Sequence, residues 1–293
     1  MIIVVPIIVL ILAGILFILM PAKLTEGHRE IFAGRSYSCG GLFDNETVLE
    51  NSMESFSRAV LQGYGMQLDI WMSYDKKLVV SRDEHYSRIN GNKRQGSFVN
   101  NEDSQIRLYG TQQEPQQFRD VLKAVDGAVP LILNVSAQGI SRRWDEELCM
   151  QLVQQLKDYR EPVCIASFQP RIILWFKRYA PEMIRIQLLY GKNFNPDISM
   201  LQQATYSHCL LNFIGRPHII AMYHEDQNFC LKISRLLGAM TMLWPIQTME
   251  NAERYMSSCD AIIFDSCLPP VRFHQTKEKK QKLLSRLRRQ REK

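Results

Sequence analysis

Met66-Gln67-Leu68-Asp69-Ile70-Trp71 and Leu78-Val79-Val80-Ser81 are two short strand-like runs joined by the polar turn Tyr74-Asp75-Lys76-Lys77. Parallel neighbours need about a dozen connecting residues, so these two runs must pair as an antiparallel hairpin. A two-residue turn at Asp75-Lys76 would pair Tyr74 with Lys77 and set Asp69 opposite Arg82. Outward from the hairpin the pattern changes to β-branched runs alternating with stretches of helical period. The candidate strands are residues 30–33, 66–71, 78–81, 129–135, 163–167, 184–189, 208–213, 240–244 and 261–265. Helix-length segments such as 52–62, 117–125, 144–159, 171–179, 224–237 and 249–257 separate most of them. Setting aside the returning hairpin strand leaves eight, and eight parallel strands in about 240 residues point to an α/β (β/α)8 TIM barrel with a β-hairpin insertion. A doubly wound sheet is the alternative, but no Gly-rich phosphate loop follows the first candidate strand. Residues 87–114 are polar and without period, an insertion beside the barrel mouth.

The 293 residues are 46% hydrophobic and 23% charged, which excludes a disordered, collagen-like or disulfide-scaffold chain. The formal net charge of +6 is unevenly placed. Residues 277–293 carry a net +7 and the remainder sums to −1, so the body gives no electrostatic argument for nucleic acid, and none is expected as a partner. The seven cysteines are odd in number and dispersed in apolar runs, as suits reduced, buried thiols.

Residues 1–21 hold no charged side chain and are nearly all Ile, Val, Leu, Met and Phe. At about 1.5 Å per residue such a run suits one N-terminal transmembrane helix, and no basic n-region marks a cleaved signal. The expected organisation is an anchor over residues 1–22, the barrel over 29–270 and a basic tail over 271–293. Lys23, Arg29, Arg35 and the tail then predict a single-pass cell-membrane protein with its barrel on the cytoplasmic side. Leu283, Leu284 and Leu287 share one helical face among Lys and Arg, so the tail is either a contact for anionic lipid or a solvated terminus.

The series Phe32-Ala33-Gly34-Arg35, Leu49-Glu50-Asn51-Ser52, Gly65-Met66-Gln67-Leu68-Asp69-Ile70, Val80-Ser81-Arg82-Asp83 and Leu133-Asn134-Val135 resembles the glycerophosphodiester phosphodiesterases. Ile165-Ala166-Ser167-Phe168-Gln169-Pro170, Trp244-Pro245-Ile246 and Cys259-Asp260-Ala261-Ile262-Ile263-Phe264-Asp265 extend the resemblance over roughly residues 30–268. The resemblance implies a TIM barrel that hydrolyses glycerophosphodiesters to glycerol phosphate and an alcohol. It implies a His-Arg pair after the first strand, Glu-x-Asp on the second, His-Asp after the hairpin return and Glu-x-Lys on the strand after the insertion. Such carboxylates gather a hard divalent cation, Mg2+ or Ca2+, and the imidazoles serve as general acid and base.

By this resemblance the catalytic positions are Gly34 and Arg82, where histidines would stand, and neither reactive group is intact. The metal position that survives is Asp69, with Gln67 and Asn134 replacing two glutamates and Ser136 the lysine. Arg35, Glu50, Asn51 and Trp244 are the expected substrate-binding residues, and Arg82 is expected to pair with Asp69 in place of the metal. Two amides for two carboxylates remove the charge a hard cation needs, so no cofactor is expected beyond weak Mg2+ or Ca2+ binding. Two function classes remain open. One is a pseudoenzyme binding a phosphodiester, a glycerol-phosphate-like headgroup or a protein partner, and the other is an active phosphoric diester hydrolase of lipid metabolism with altered residues. His208, Cys209, His218 and His224 match no compact zinc spacing.

Overall fold

The computed structural model describes residues 4–73, 75–81, 115–138, 140–195 and 199–273. Its strands in chain order are β1 Arg35–Cys39, β2 Gly65–Met72, β3 Leu78–Val80, β4 Gln116–Gln117, β5 Leu131–Val135, β6 Val163–Ser167, β7 Ile184–Leu189, β8 Ile219–Tyr223, β9 Met240–Ile246 and β10 Ala261–Phe264. The sheet runs β1-β10-β9-β8-β7-β6-β5-β2-β3-β4, and a further β1–β2 pairing closes it. Eight parallel strands form the barrel, and β3 and β4 hang antiparallel from β2 as the expected insertion. Helices pack outside, among them α3 Met53–Gln62, α4 Phe118–Val125, α5 Arg142–Leu156, α6 Pro170–Tyr179, α7 Met200–Ser207, α9 Phe229–Leu236 and α10 Met249–Met256, with the single turn α8 Asn212–Gly215 before β8.

Strand alternation divides the apolar side chains into two sets. Met66, Leu68, Ile70 and Met72 of β2 face outward into the helix layer, whereas Tyr37, Ile132, Ala166, Ile186, Ala221 and Met242 pack in the barrel interior. Alternation therefore turns Gln67, Asp69 and Trp71 inward.

Two candidate strands are corrected. Residues 30–32 belong to helix α2 Glu26–Phe32, with Ala33 its extended C-cap, and the N-cap Thr25 accepts from the His28 N–H. Phe32 is fully buried in the interior cluster, and the Tyr37 hydroxyl donates to its carbonyl at 3.1 Å, so α2 plugs the barrel floor. Residues 208–213 form a turn and the start of α8, since Cys209 and Arg216 adopt positive φ of 58° and 46°. The true strand, β8, is the apolar run that follows Pro217.

The transmembrane expectation is also corrected. The helix at this end, α1 Val4–Leu19, has 16 residues, and among the described residues no helix is long and apolar enough to cross a membrane. At about 1.5 Å per residue it spans about 24 Å, short of the roughly 30 Å hydrocarbon core. Pro21 disfavours helix at Met20 and ends the run early. The single-pass, cell-membrane placement with a cytoplasmic barrel rested on that span and falls with it. The C-terminal end of α1 is instead fastened to the barrel: Arg216 donates to the carbonyls of Phe17 and Met20 at 2.6 and 2.8 Å, and Leu19 is buried. The basic tail, 274–293, lies outside the described residues.

All seven cysteines are free, five of them buried, as their apolar settings required. Burial pushes the Cys209 and Cys259 thiols up to about 12, so both are inert at neutral pH.

Candidate functional site at the barrel mouth

The functional end of such a barrel is the rim formed by the C-terminal ends of its strands. On β2, Gln67 and Asp69 are successive inward residues, and the parallel register sets Asp69 beside Asn134 of β5 and Gln67 beside Cys39 of β1. Asp69, Gln67 and Asn134 are all buried. The Asn134 amide donates from Nδ2 to Asp69 Oδ1 at 2.6 Å, and Gln67 donates from Nε2 to Cys39 Sγ at 3.7 Å. An ionised carboxylate only accepts, which fixes the Asn134 amide with its N–H toward Asp69. Asn134 Oδ1 is left buried with no hydrogen-bond partner.

These donors do not fit the divalent cation that the resemblance implies. Hard cations need oxygen ligands, preferably charged. Asn134 and Gln67 both turn N–H groups toward their neighbours, and one oxygen of Asp69 is already engaged by Asn134. Among the described residues no group of three or more His, Cys, Asp or Glu could hold a metal ion.

The structure separates other expected residues. Gly34 and Arg35 precede β1 or begin it, with Arg35 beside Ala261, the first residue of β10, so both sit at the floor. They therefore cannot be the pair after the first strand, and Arg35 is not a mouth residue. The first strand ends at Cys39 and is followed by Gly40 and Gly41, none of which is histidine or arginine. Glu50 and Asn51 do reach this corner. The Asn51 N–H donates to the Gly40 carbonyl at 2.9 Å, and a Cβ on Gly40 would meet Glu50 Cγ at 2.8 Å and Asn51 Oδ1 at 3.1 Å. Asn51 is itself buried at φ 59°, with Oδ1 unpartnered.

The hairpin register differs from expectation by one residue. Pairs Ile70↔Val80, Trp71↔Val79 and Met72↔Leu78 close on Ser73, which donates its N–H to the Lys77 carbonyl at 2.9 Å. Three residues lie in the turn, and Lys76 takes the left-handed conformation at φ 60°. Ser81 thus stands opposite Asp69, donating its N–H to the Asp69 carbonyl at 3.0 Å. The expected Asp69–Arg82 pair involves a residue outside the described ones. Arg82, Asp83, His85, Arg88 and the insertion at 87–114 lie outside the described residues.

Trp244 lies on the inward side of β9. It is one of a set the sequence reading missed: Phe168 follows β6, Tyr190 follows β7, Phe194 lies in the next loop and Tyr223 ends β8. The overlooked signal was an aromatic residue at the C-terminal end of consecutive apolar strands. Asp226 accepts the Gly191 and Asn193 N–H groups at 2.6 and 3.1 Å, fastening the loop that carries Phe194. His218 and His224 lie at opposite ends of β8, which leaves no shared metal site.

No protein-family model matches the chain, and no curated protein sequence does. Solved structures do match by fold. A glycerophosphodiester phosphodiesterase from Parabacteroides distasonis superposes with a TM-score of 0.63 at 18% identity, over 87% of this chain and 99% of that one. A phosphodiesterase from Oleispira antarctica, in complex with the product sn-glycerol-3-phosphate, gives 0.63 at 15% over 80% and 94%. A glycerophosphodiester phosphodiesterase from Agrobacterium tumefaciens gives 0.56 at 18% over 79% and 96%. The chain therefore has the closed TIM-barrel fold of the glycerophosphodiester phosphodiesterases.

Proposed function

We propose that the chain is a glycerophosphodiester phosphodiesterase-like barrel that binds a phosphodiester or its alcohol headgroup at the mouth without the diester hydrolysis its fold relatives are named for. The observation that carries this reading is the Asn134 Nδ2 to Asp69 Oδ1 hydrogen bond of 2.6 Å. It puts an amide N–H against the one carboxylate retained among the three metal positions of the resemblance. A cation drawn to Asp69 would have to displace a charge-assisted hydrogen bond and would gain no second charged ligand from Asn134 or Gln67. Neither amide shuttles a proton near neutral pH, so general acid–base assistance, typically about 10²- to 10⁴-fold per group, is not supplied by these residues.

The test is purified protein incubated with glycerophosphocholine and with a generic aryl phosphodiester, with and without Mg2+ or Ca2+. The expected result is no turnover, together with a ligand-dependent rise in melting temperature. Metal-dependent turnover that Asp69→Ala abolishes would overturn the reading.

A further inference from the structure

The aromatic wall and the polar corner face one another. In the closed strand order β8 and β9 stand four strands away from β2 and β5, so Tyr223 and Trp244 lie across the mouth from Asp69 and Asn134. Within the wall, ring centroids are 5.4 Å apart for Phe168 and Trp244, 5.1 Å for Trp244 and Phe194, and 5.8 Å for Trp244 and Tyr223. Contacts this close leave no slot between rings, so a ligand meets the wall as a surface and not as a cage.

Of the buried polar atoms around this mouth that lack hydrogen-bond partners, three are Asn134 Oδ1, Trp71 Nε1 and Trp244 Nε1, besides Asn51 Oδ1 at the corner after β1. Asn134 and Trp71 are only 7% and 6% exposed, and both lie on inward-facing positions near the C-terminal ends of their strands. Buried polar atoms normally find partners, and each one left unmade carries a desolvation cost.

The chemistry of these atoms selects among ligands. An indole N–H can only donate, and an amide oxygen can only accept. A phosphate diester has no proton to give Asn134 Oδ1. A quaternary ammonium can neither give nor take. A hydroxyl group does both, and several hydroxyls on a rigid ring would serve all three atoms while the ring's C–H face lies on the aromatic wall. Resting on the reading of the mouth as a binding site, we infer that it recognises a saccharide or cyclic polyol, either free or as the headgroup of a phosphodiester.

The experiment uses the full chain in a detergent without a sugar headgroup, because the sides of α1 are exposed and apolar. Binding is measured by calorimetry and saturation-transfer NMR for methyl glucoside, methyl galactoside, myo-inositol, glycerophosphoinositol and glycerophosphocholine. Saturable binding of at least one of the first four is expected, with glycerophosphocholine at least about tenfold weaker. Binding of the neutral rings identifies a free sugar or polyol as sufficient, and binding of glycerophosphoinositol alone identifies the headgroup form. Trp244→Phe keeps the ring and removes the N–H, and it is expected to weaken the bound probe several-fold while leaving the melting temperature close to that of the parent. Failure of all four ring probes, equal affinity for glycerophosphocholine, or an unchanged affinity in Trp244→Phe would overturn the inference. None of these involves turnover, so the inference can fail while the non-hydrolytic reading stands, and metal-dependent hydrolysis would remove that reading separately.

Discussion

Asn134 and Asp69 stand side by side on adjacent parallel strands and share a 2.6 Å hydrogen bond at the barrel mouth. Replacing the amide by a second carboxylate, Asn134→Asp, sets two like charges in contact and removes the amide N–H between them. In metal-free buffer the variant is expected to lose about 1–3 kcal/mol of stability and to hold one proton well above the usual carboxylate range. Adding Gln67→Glu supplies the third carboxylate, and millimolar Ca2+ or Mg2+ should then restore the melting temperature of the double variant while leaving the parent unmoved. Equal cation shifts in both proteins would show that amides at these positions do not determine metal affinity.

Gly41 follows β1 at φ 88°, and a Cβ there would lie 2.5 Å from Ser55 Oγ and 2.6 Å from the Ser55 backbone carbon. Ser55 cannot retreat, because its hydroxyl donates to the Gly40 and Ser52 carbonyls at 3.0 and 2.8 Å and its carbonyl accepts from the Leu42 N–H. Gly41→Ala combines a left-handed backbone with a clash against backbone atoms, and a loss of more than about 2 kcal/mol is expected in urea unfolding. A cost below about 0.5 kcal/mol would mean that the loop after β1 is free to move.

How much of this was legible beforehand depended on which physical signal each segment carried. β6 and β7 were bounded to the residue because β6 is an apolar run closed by Ser167, and β7 alternates Ile184, Ile186 and Leu188 with Arg185 and Gln187 before Tyr190-Gly191. β1 was missed because Ser36 and Ser38 break its apolar character. Their hydroxyls spend themselves on the Pro270 and Gly65 carbonyls, 234 and 27 residues away, a tertiary fact invisible locally. That miss moved one catalytic position, Gly34, and the substrate-binding Arg35 from the rim to the floor. The register error arose from one backbone torsion, since a lysine at φ 60° carries none of the glycine or asparagine signal that marks a left-handed turn position. The amide substitutions at Gln67 and Asn134 were readable as losses of charge. Which way each amide points was not, because that is set by neighbours on other strands.

The apolar sides of α1 are exposed, and its attachment is confined to its last turn: Leu19 is buried, its carbonyl accepts from the Ser234 hydroxyl at 3.2 Å, and the Arg216 guanidinium lies 4.3 Å from the Phe17 ring. Removing residues 4–15 should therefore leave the barrel's melting temperature within about 2 °C of the parent, since surface changes of this kind cost little. Self-association, read by analytical ultracentrifugation without detergent, should fall sharply, because a contiguous exposed apolar surface drives it. A truncated chain that fails to fold would show that the barrel depends on more of α1 than its final turn.

His218 provides a pH test that is independent of the mouth. It sits at the floor before β8, where its Nδ1 accepts the Arg185 N–H at 3.1 Å, and the buried Arg185 guanidinium donates to the Pro181 and Met183 carbonyls beside it. Burial first, then the charges of Arg185 and His28, lower its pKa from 6.5 to about 4. Between those values the unfolded chain takes up a proton that the folded chain refuses. Stability from the neutral ring is therefore complete above 6.5 and is lost as pH falls toward 4. Allowing for partial exposure, the loss amounts to about 1–3 kcal/mol. His218→Asn keeps an acceptor for the Arg185 N–H and cannot protonate in this range. The difference in urea midpoint between parent and variant should shift in the variant's favour as pH drops from about 7 to about 4.5. A difference that stays constant over that interval would show that His218 protonates equally in both states.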